Sequence, residues 1–150
     1  MISGKLNRVD MQKATKAMRD LRMFDKKGLS NEIKSAIMRM DIQAKTHVTI
    51  AEKNGGNLKR SIKYGARGKT AFLEASANYA PYVEFGTGGR YSGAELQELG
   101  ISEDYAAQFK GRSQDRVHLP ARPFLFKAVN EVLPVMYKKI LERLNKIYKK

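Results

Sequence analysis

Apolar residues recur along this chain in two periods, and the change from one to the other marks its architecture. Between Val9 and Met23, the residues Met11, Ala14, Met18 and Leu21 recur at helical spacing, and Asp10 is placed to cap the first free amides. Asp25-Lys-Lys-Gly28 interrupts that pattern. A second helix is expected after Ser30, with Ile33, Ile37, Met40, Ala44 and Val48 as its apolar stripe and Lys34, Arg39, Asp41 and Lys45 on its other face. Asn54-Gly-Gly56 is expected to end it, because glycine supplies the left-handed conformations that close helices. The period then drops to two. Ile62, Tyr64 and Ala66 alternate with Ser61, Lys63 and Gly65; beyond Arg67-Gly-Lys-Thr70, Ala71, Leu73, Ala75 and Ala77 alternate with Phe72, Glu74 and Ser76. Two such runs about a glycine turn predict a β-hairpin. A lone hairpin is marginal in water, so amphipathic helices must cover its apolar face.

Residues 90–118 are the least apolar and the most mixed in charge. Ser92-Gly-Ala-Glu95 has the capping-box pattern, and Ser102 is placed to start a second short helix running through Phe109 to Gly111. The chain returns in a long helical pattern from near Pro123, with Leu133, Met136, Ile140, Leu144 and Ile147 as its stripe; Pro134 is expected to kink or divide it. The expected fold class is α+β: a small antiparallel sheet, made of the hairpin 61–77 plus one or two further strands, covered by a long helix from the N-terminal half and a C-terminal helix. At 150 residues the chain forms one domain. Its parts are a helical arm (1–28), helix, hairpin and short helix (30–89), an inserted loop with short helices (90–118), and the C-terminal helix (119–150).

Composition narrows the function. No run approaches the roughly 18–20 apolar residues of a membrane span, and the first residues lack an apolar leader region, so neither a membrane nor secretion is expected. The sequence has no cysteine, which excludes disulfides and thiolate metal sites. A net charge of +14 favours an anionic partner: DNA, RNA, an acidic protein surface or a lipid headgroup layer. The same charge also fits a solvated, lysine-rich helical surface.

Motifs that would carry chemistry are weak. Gly68-Lys-Thr70 resembles the end of a phosphate-binding loop, but position 63 is lysine where that loop needs glycine, and the tripeptide joins two strands. His47 and His118 lack partners at metal-ligand spacing. Leu99-Gly-Ile-Ser102 resembles the turn of a helix-turn-helix DNA reader, yet Glu103 and Asp104 stand where such a reader meets phosphates. The glycine-rich stretch 86–93 follows a helix instead of opening one, so no dipole favours an anion there. No catalytic residue, cofactor or metal is expected.

Two rigid apolar blocks stand out instead: Tyr79-Ala-Pro-Tyr-Val-Glu-Phe-Gly-Thr87 and Leu119-Pro-Ala-Arg-Pro-Phe-Leu125. Pro81 suits the first turn of a short helix and Gly86 its end. Each block embeds one charge, Glu84 and Arg122. These either pair, fixing the short helix to the start of the long one, or are two unrelated surface charges. Phe124 is expected to anchor a core or an interface.

Together with Gly56-Asn-Leu-Lys-Arg-Ser-Ile62, these blocks resemble the bacteriophage tail-completion, or head–tail joining, family of long-tailed phages. The resemblance lies in Asn57, Leu58 and Arg60 in the first block, in Tyr79, Tyr82, Glu84, Phe85, Gly86 and Thr87 in the second, and in Arg122, Pro123 and Phe124 in the third. It spans roughly Ile33 to the C-terminus. Glu52-Lys-Asn-Gly-Gly56 replaces the family's Pro-x-x-Thr-Gly, and the stretch 90–118 is longer than the family's short loop. The resemblance implies a structural virion protein and no enzyme. Such a protein works as a ring of identical subunits at the neck, six-fold favoured and twelve-fold the alternative. Its neighbours would be head connector or stopper proteins and tail terminator or tail-tube proteins. Viral DNA in the channel would make weak, non-specific contact at most. The rival expectation is a basic, sequence-independent nucleic-acid-binding protein.

Overall fold

The computed structural model of the chain describes residues 8–48, 56–86, 93–98, 101–108 and 120–149. Helix α1 (Arg8–Met23) passes through a π-helical turn, Phe24–Gly28, directly into α2 (Leu29–His47). The break expected at Asp25-Lys-Lys-Gly28 is thus a widened turn in a continuous rod. Gly28 keeps right-handed helical dihedrals, and the Leu29 amide donates to the Phe24 carbonyl five residues back. Gly28 is there for close approach, since a Cβ would collide with the Phe24 ring. The turn also sets phase. In a regular α-helix, at about 100° per residue, Leu21 would lie about 100° round the axis from Met40; absorbing one residue brings the two into line. Asp10 falls inside the first turn of α1 and is not its N-cap.

Of the stripe expected on α2, Ile37, Met40, Ala44 and Val48 are enclosed, together with Ala36, and Ile33 is half-buried. Asp41, expected on the polar face, is buried as well, and Lys45 Nζ one turn later lies 2.7 Å from its carboxylate. The helix ends at His47, before the glycine cluster. Gly56–Ser61 then forms a short helix, α3, which the sequence pattern did not signal. Its Leu58 enters the core, and the Ser61 hydroxyl donates to the Leu58 carbonyl.

Strands β1 (Ile62–Arg67) and β2 (Thr70–Ala75) pair antiparallel, with Tyr64 opposite Leu73 and Ala66 opposite Ala71. Gly68, at φ 61°, supplies the positive dihedral a two-residue hairpin turn requires. The Ser76 amide extends the ladder to the Ser61 carbonyl (3.1 Å). The sheet consists of these two strands among the described residues; the further strands expected are not found there. Helices do their work, because Ala66, Ala71 and Leu73 pack against Ala36, Ile37 and Met40 of α2 and Val132 of the last helix.

After the hairpin come α4 (Ala80–Phe85), α5 (Gly93–Glu98), α6 (Glu103–Ala107) and α7 (Leu125–Tyr148). The two short helices expected between 90 and 118 are α5 and α6. Ser102 caps α6, its hydroxyl accepting from the Tyr105 amide. The capping box at Ser92–Glu95 and the expected end of this helix at Phe109–Gly111 reach outside the described residues. Helix α7 runs undivided through Pro134. Proline's fixed φ is helical, and the cost is one missing donor on an exposed turn. Helix α7 lies antiparallel to α2, tied at one end by His47 Nε2 to Glu131 Oε2 (2.9 Å) and at the other by Arg143 Nη2 to Glu32 Oε1 (2.7 Å). Its expected stripe is only half-buried; Ala128 and Val132 are the enclosed residues. The fold is therefore α+β, a hairpin covered by a long helix from each half of the chain. Among the described residues no helix is long and apolar enough to cross a membrane.

Candidate functional site

The three blocks singled out above meet at one place, where α4 docks on the start of α7. A helix leaves its first four amides without intrahelical partners, and these must be satisfied from outside. The residue at the N-cap of α7 is Phe124, whose side chain offers no acceptor. Its ring is completely enclosed by the core that also contains Ala44, Leu58, Ile62, Ala80 and Ala128.

Glu84 supplies the missing acceptor from α4. It is 3% exposed, and its Oε2 accepts from the amides of Phe124 (2.8 Å) and Leu125 (3.1 Å) while Oε1 accepts from Phe126 (3.0 Å). The negative carboxylate also sits at the positive end of the α7 dipole. A fourth bond runs the other way, from the Arg122 amide to the Val83 carbonyl (2.8 Å), satisfying a late carbonyl of α4. Burial pushes the Glu84 carboxyl above its ordinary range; the three amides and the nearby His47 pull it part of the way back.

This overturns the expected Glu84–Arg122 ion pair. The Arg122 side chain is exposed, and it is the backbone of its block that reaches α4. An embedded charge needed a partner, but backbone amides met the need. Pro81 lies in the first turn of α4, and Gly86 closes the helix at φ 72°, ψ 176°, a region open essentially to glycine alone. Pro123 is half-buried just before the capped turn.

The remaining candidates divide between core and surface. Leu58 is buried, whereas Asn57 and Arg60 face outward and bond each other (Nη2 to Oδ1, 2.6 Å). Tyr79 and Tyr82 are about half exposed on the outside of α4, at 45% and 43%. Thr87 lies outside the described residues. Phe85 is buried in a separate small core with Leu96, Ile101 and Ala106, packed against Phe126. Its ring meets Tyr105 edge-on at 5.7 Å and Phe126 at 5.9 Å. So one face of α4 holds α7, and the next residue, Phe85, holds Leu96 of α5 and Ala106 of α6. The sequence reading missed Phe126, Tyr105 and Ala80 as parts of this joint; the Ala and Phe carry no signal beyond apolarity.

Both Glu84 oxygens accept from main-chain amides at the start of α7. Among the described residues no three histidine, aspartate or glutamate side chains gather as a metal site would require. His47 is engaged with Glu131, and His118 lies outside the described residues. The fold and the joint define a small α+β unit centred on a structural clamp. Comparison with family models, with curated proteins and with solved structures finds no match for the chain.

Proposed function

We propose that this protein is a structural subunit of a bacteriophage neck, completing the tail and joining it to the head connector as a ring of identical copies, and that it is not an enzyme. The resemblance of its three sequence blocks to the tail-completion family supports this reading. The observation that carries it is the use the fold makes of those blocks. Glu84 and Phe124, the most distinctive residues of two of them, are spent on fastening α4 to α7, and Leu58 of the third packs in the same core. That builds a rigid body whose work lies on its outer surfaces. Its station is the virion, between connector or stopper proteins above and terminator or tube proteins below, with DNA passing through the channel.

The test is localisation. Antibody labelling and mass spectrometry of purified particles of the encoding phage should find the chain at the head–tail junction. Its absence from intact particles, or turnover of a substrate by the purified chain, refutes the reading.

One observation favours the second reading, a sequence-independent nucleic-acid binder. The outer face of the hairpin carries Lys63, with Glu74 opposite it, and Arg67 beside Phe72, a residue 55% exposed, and basic groups near an open aromatic suit phosphates and stacked bases. Strong, salt-sensitive DNA retention by the monomer supports this second reading over the first.

A further inference from the structure

Helix α1 has little to lean on. Among its described side chains only Ala17, Asp20 and Leu21 are even half-buried, while Met11 is 56% and Met18 72% exposed. Met11, Met18 and Arg22 share one face by helical spacing, with Arg19 beside it. Helical stability in proteins comes mostly from a packed apolar face, and most of this one is open. The π-turn joins α1 to α2 as one rod, so the stripe cannot turn inward. It needs a surface on another molecule.

Elsewhere a cleft of about 330 Å³ lies between β2, α4, α6 and α7, walled by Leu73, Ala80, Pro81, Phe85, Tyr105 and Phe126. Glu74 lines it too, and the exposed Glu103 and Asp104 immediately precede Tyr105 in α6. Charge is segregated to match. Residues 93–108 hold Glu95, Glu98, Glu103 and Asp104 and no basic residue, in a chain of net charge +14. Residues 8–28 hold Arg8, Lys13, Lys16, Arg19, Arg22, Lys26 and Lys27 against Asp10, Asp20 and Asp25.

We propose that the cleft receives the α1 arm of a second copy of this chain, with Met11 and Met18 against the aromatic wall and Arg19 and Arg22 facing Glu103 and Asp104. Flexible thioethers fill irregular apolar clefts and contact ring edges favourably. The matched charges select a second copy and set its orientation. Arm and cleft are different patches, so the contact is head-to-tail and repeats from copy to copy until a ring closes. The proposal rests on the neck-ring reading and names the surfaces by which its subunits join.

Sedimentation velocity on the full chain tests it. The wild type should self-associate with rising concentration, less so at high salt. Met18→Glu, which spoils the arm, and Glu103→Lys with Asp104→Lys, which spoils the rim, should each weaken association about tenfold or more. All three sites are exposed, so circular dichroism should not change. The two variants mixed should form one-to-one dimers and nothing larger, through the one intact arm and the one intact cleft. Adding Arg19→Glu and Arg22→Glu to the rim variant should restore self-association. A mixture that stays monomeric, a charge swap that rescues nothing, or a wild type that is monomeric at every concentration overturns the contact. So does dispersal by Leu141→Glu, on the exposed ridge of α7, where Met18→Glu has no effect. Rings that survive Met18→Glu overturn this interface and leave the neck reading standing. Arm-dependent association by a chain absent from phage particles does the reverse.

Discussion

Replacing Glu84 by alanine leaves the amides of Phe124, Leu125 and Phe126 without an acceptor at the start of a helix. The Phe124 amide is in a buried setting and the other two are partly buried. An orphaned amide costs about 1–3 kcal/mol, so taking the lower end for the two partly buried groups gives a gross loss of about 4 kcal/mol. Relief from holding a carboxylate in the interior offsets part of this, for a net loss of about 3 kcal/mol. In a domain of this size that lowers Tm by about 6–12 °C. Urea denaturation followed by circular dichroism reads the change directly. Arg122→Ala should cost less than about 0.5 kcal/mol, because its side chain is exposed and only its backbone is used. If Glu84→Ala stays within about 0.5 kcal/mol of wild type, or Arg122→Ala costs as much, the capping account fails.

The remaining predictions probe the same joint and the rod that carries the arm. The folded carboxyl of Glu84 titrates above its ordinary value of 4.5, so between that pH and its folded value the folded state holds a proton that the unfolded state has released. Glu84's contribution should therefore decline as pH rises through the folded value and stay flat beyond it; a wild-type minus Glu84→Gln stability difference that grows with pH over that window contradicts the direction. Gly86→Ala should destabilise by about 1–3 kcal/mol from backbone strain alone, measured by thermal melting, and a neutral result would mean that α4 ends in another conformation. Phe124→Ala should cost about 3–5 kcal/mol in urea titration, since its ring is fully enclosed. Deleting Lys26 should convert the π-turn to regular helix, keep the helical circular dichroism, and swing α1 by about 100°, abolishing the self-association assigned to its stripe.

Local chemistry was legible without coordinates. The period-two runs about Gly68, the stripe from Ile37 to Val48, and the proline-to-glycine frame of α4 each declare themselves because propensity and periodicity act within a few residues. The importance of Glu84 and Phe124 was equally visible, since a charge and an aromatic inside rigid apolar blocks require an explanation. What Glu84 bonds to was not. Its acceptors' partners are main-chain amides some forty residues away, and an amide has no side-chain letter to betray it. The interruption at Asp25–Gly28 likewise had two local solutions, a break or a widened turn. The widened turn places the Phe24 ring over Gly28, where a Cβ would collide with it. Burial of Glu32 and Asp41 followed from the elements that came to cover α2, and each carboxylate meets a cation, Arg143 of α7 for the first and Lys45 of α2 itself for the second. Sequence by itself determined the hairpin, the main helical stripes and the frame of α4, because those forces are short-ranged. Tertiary structure alone decided which polar groups lose water and what replaces it, because that depends on elements brought together from distant parts of the chain.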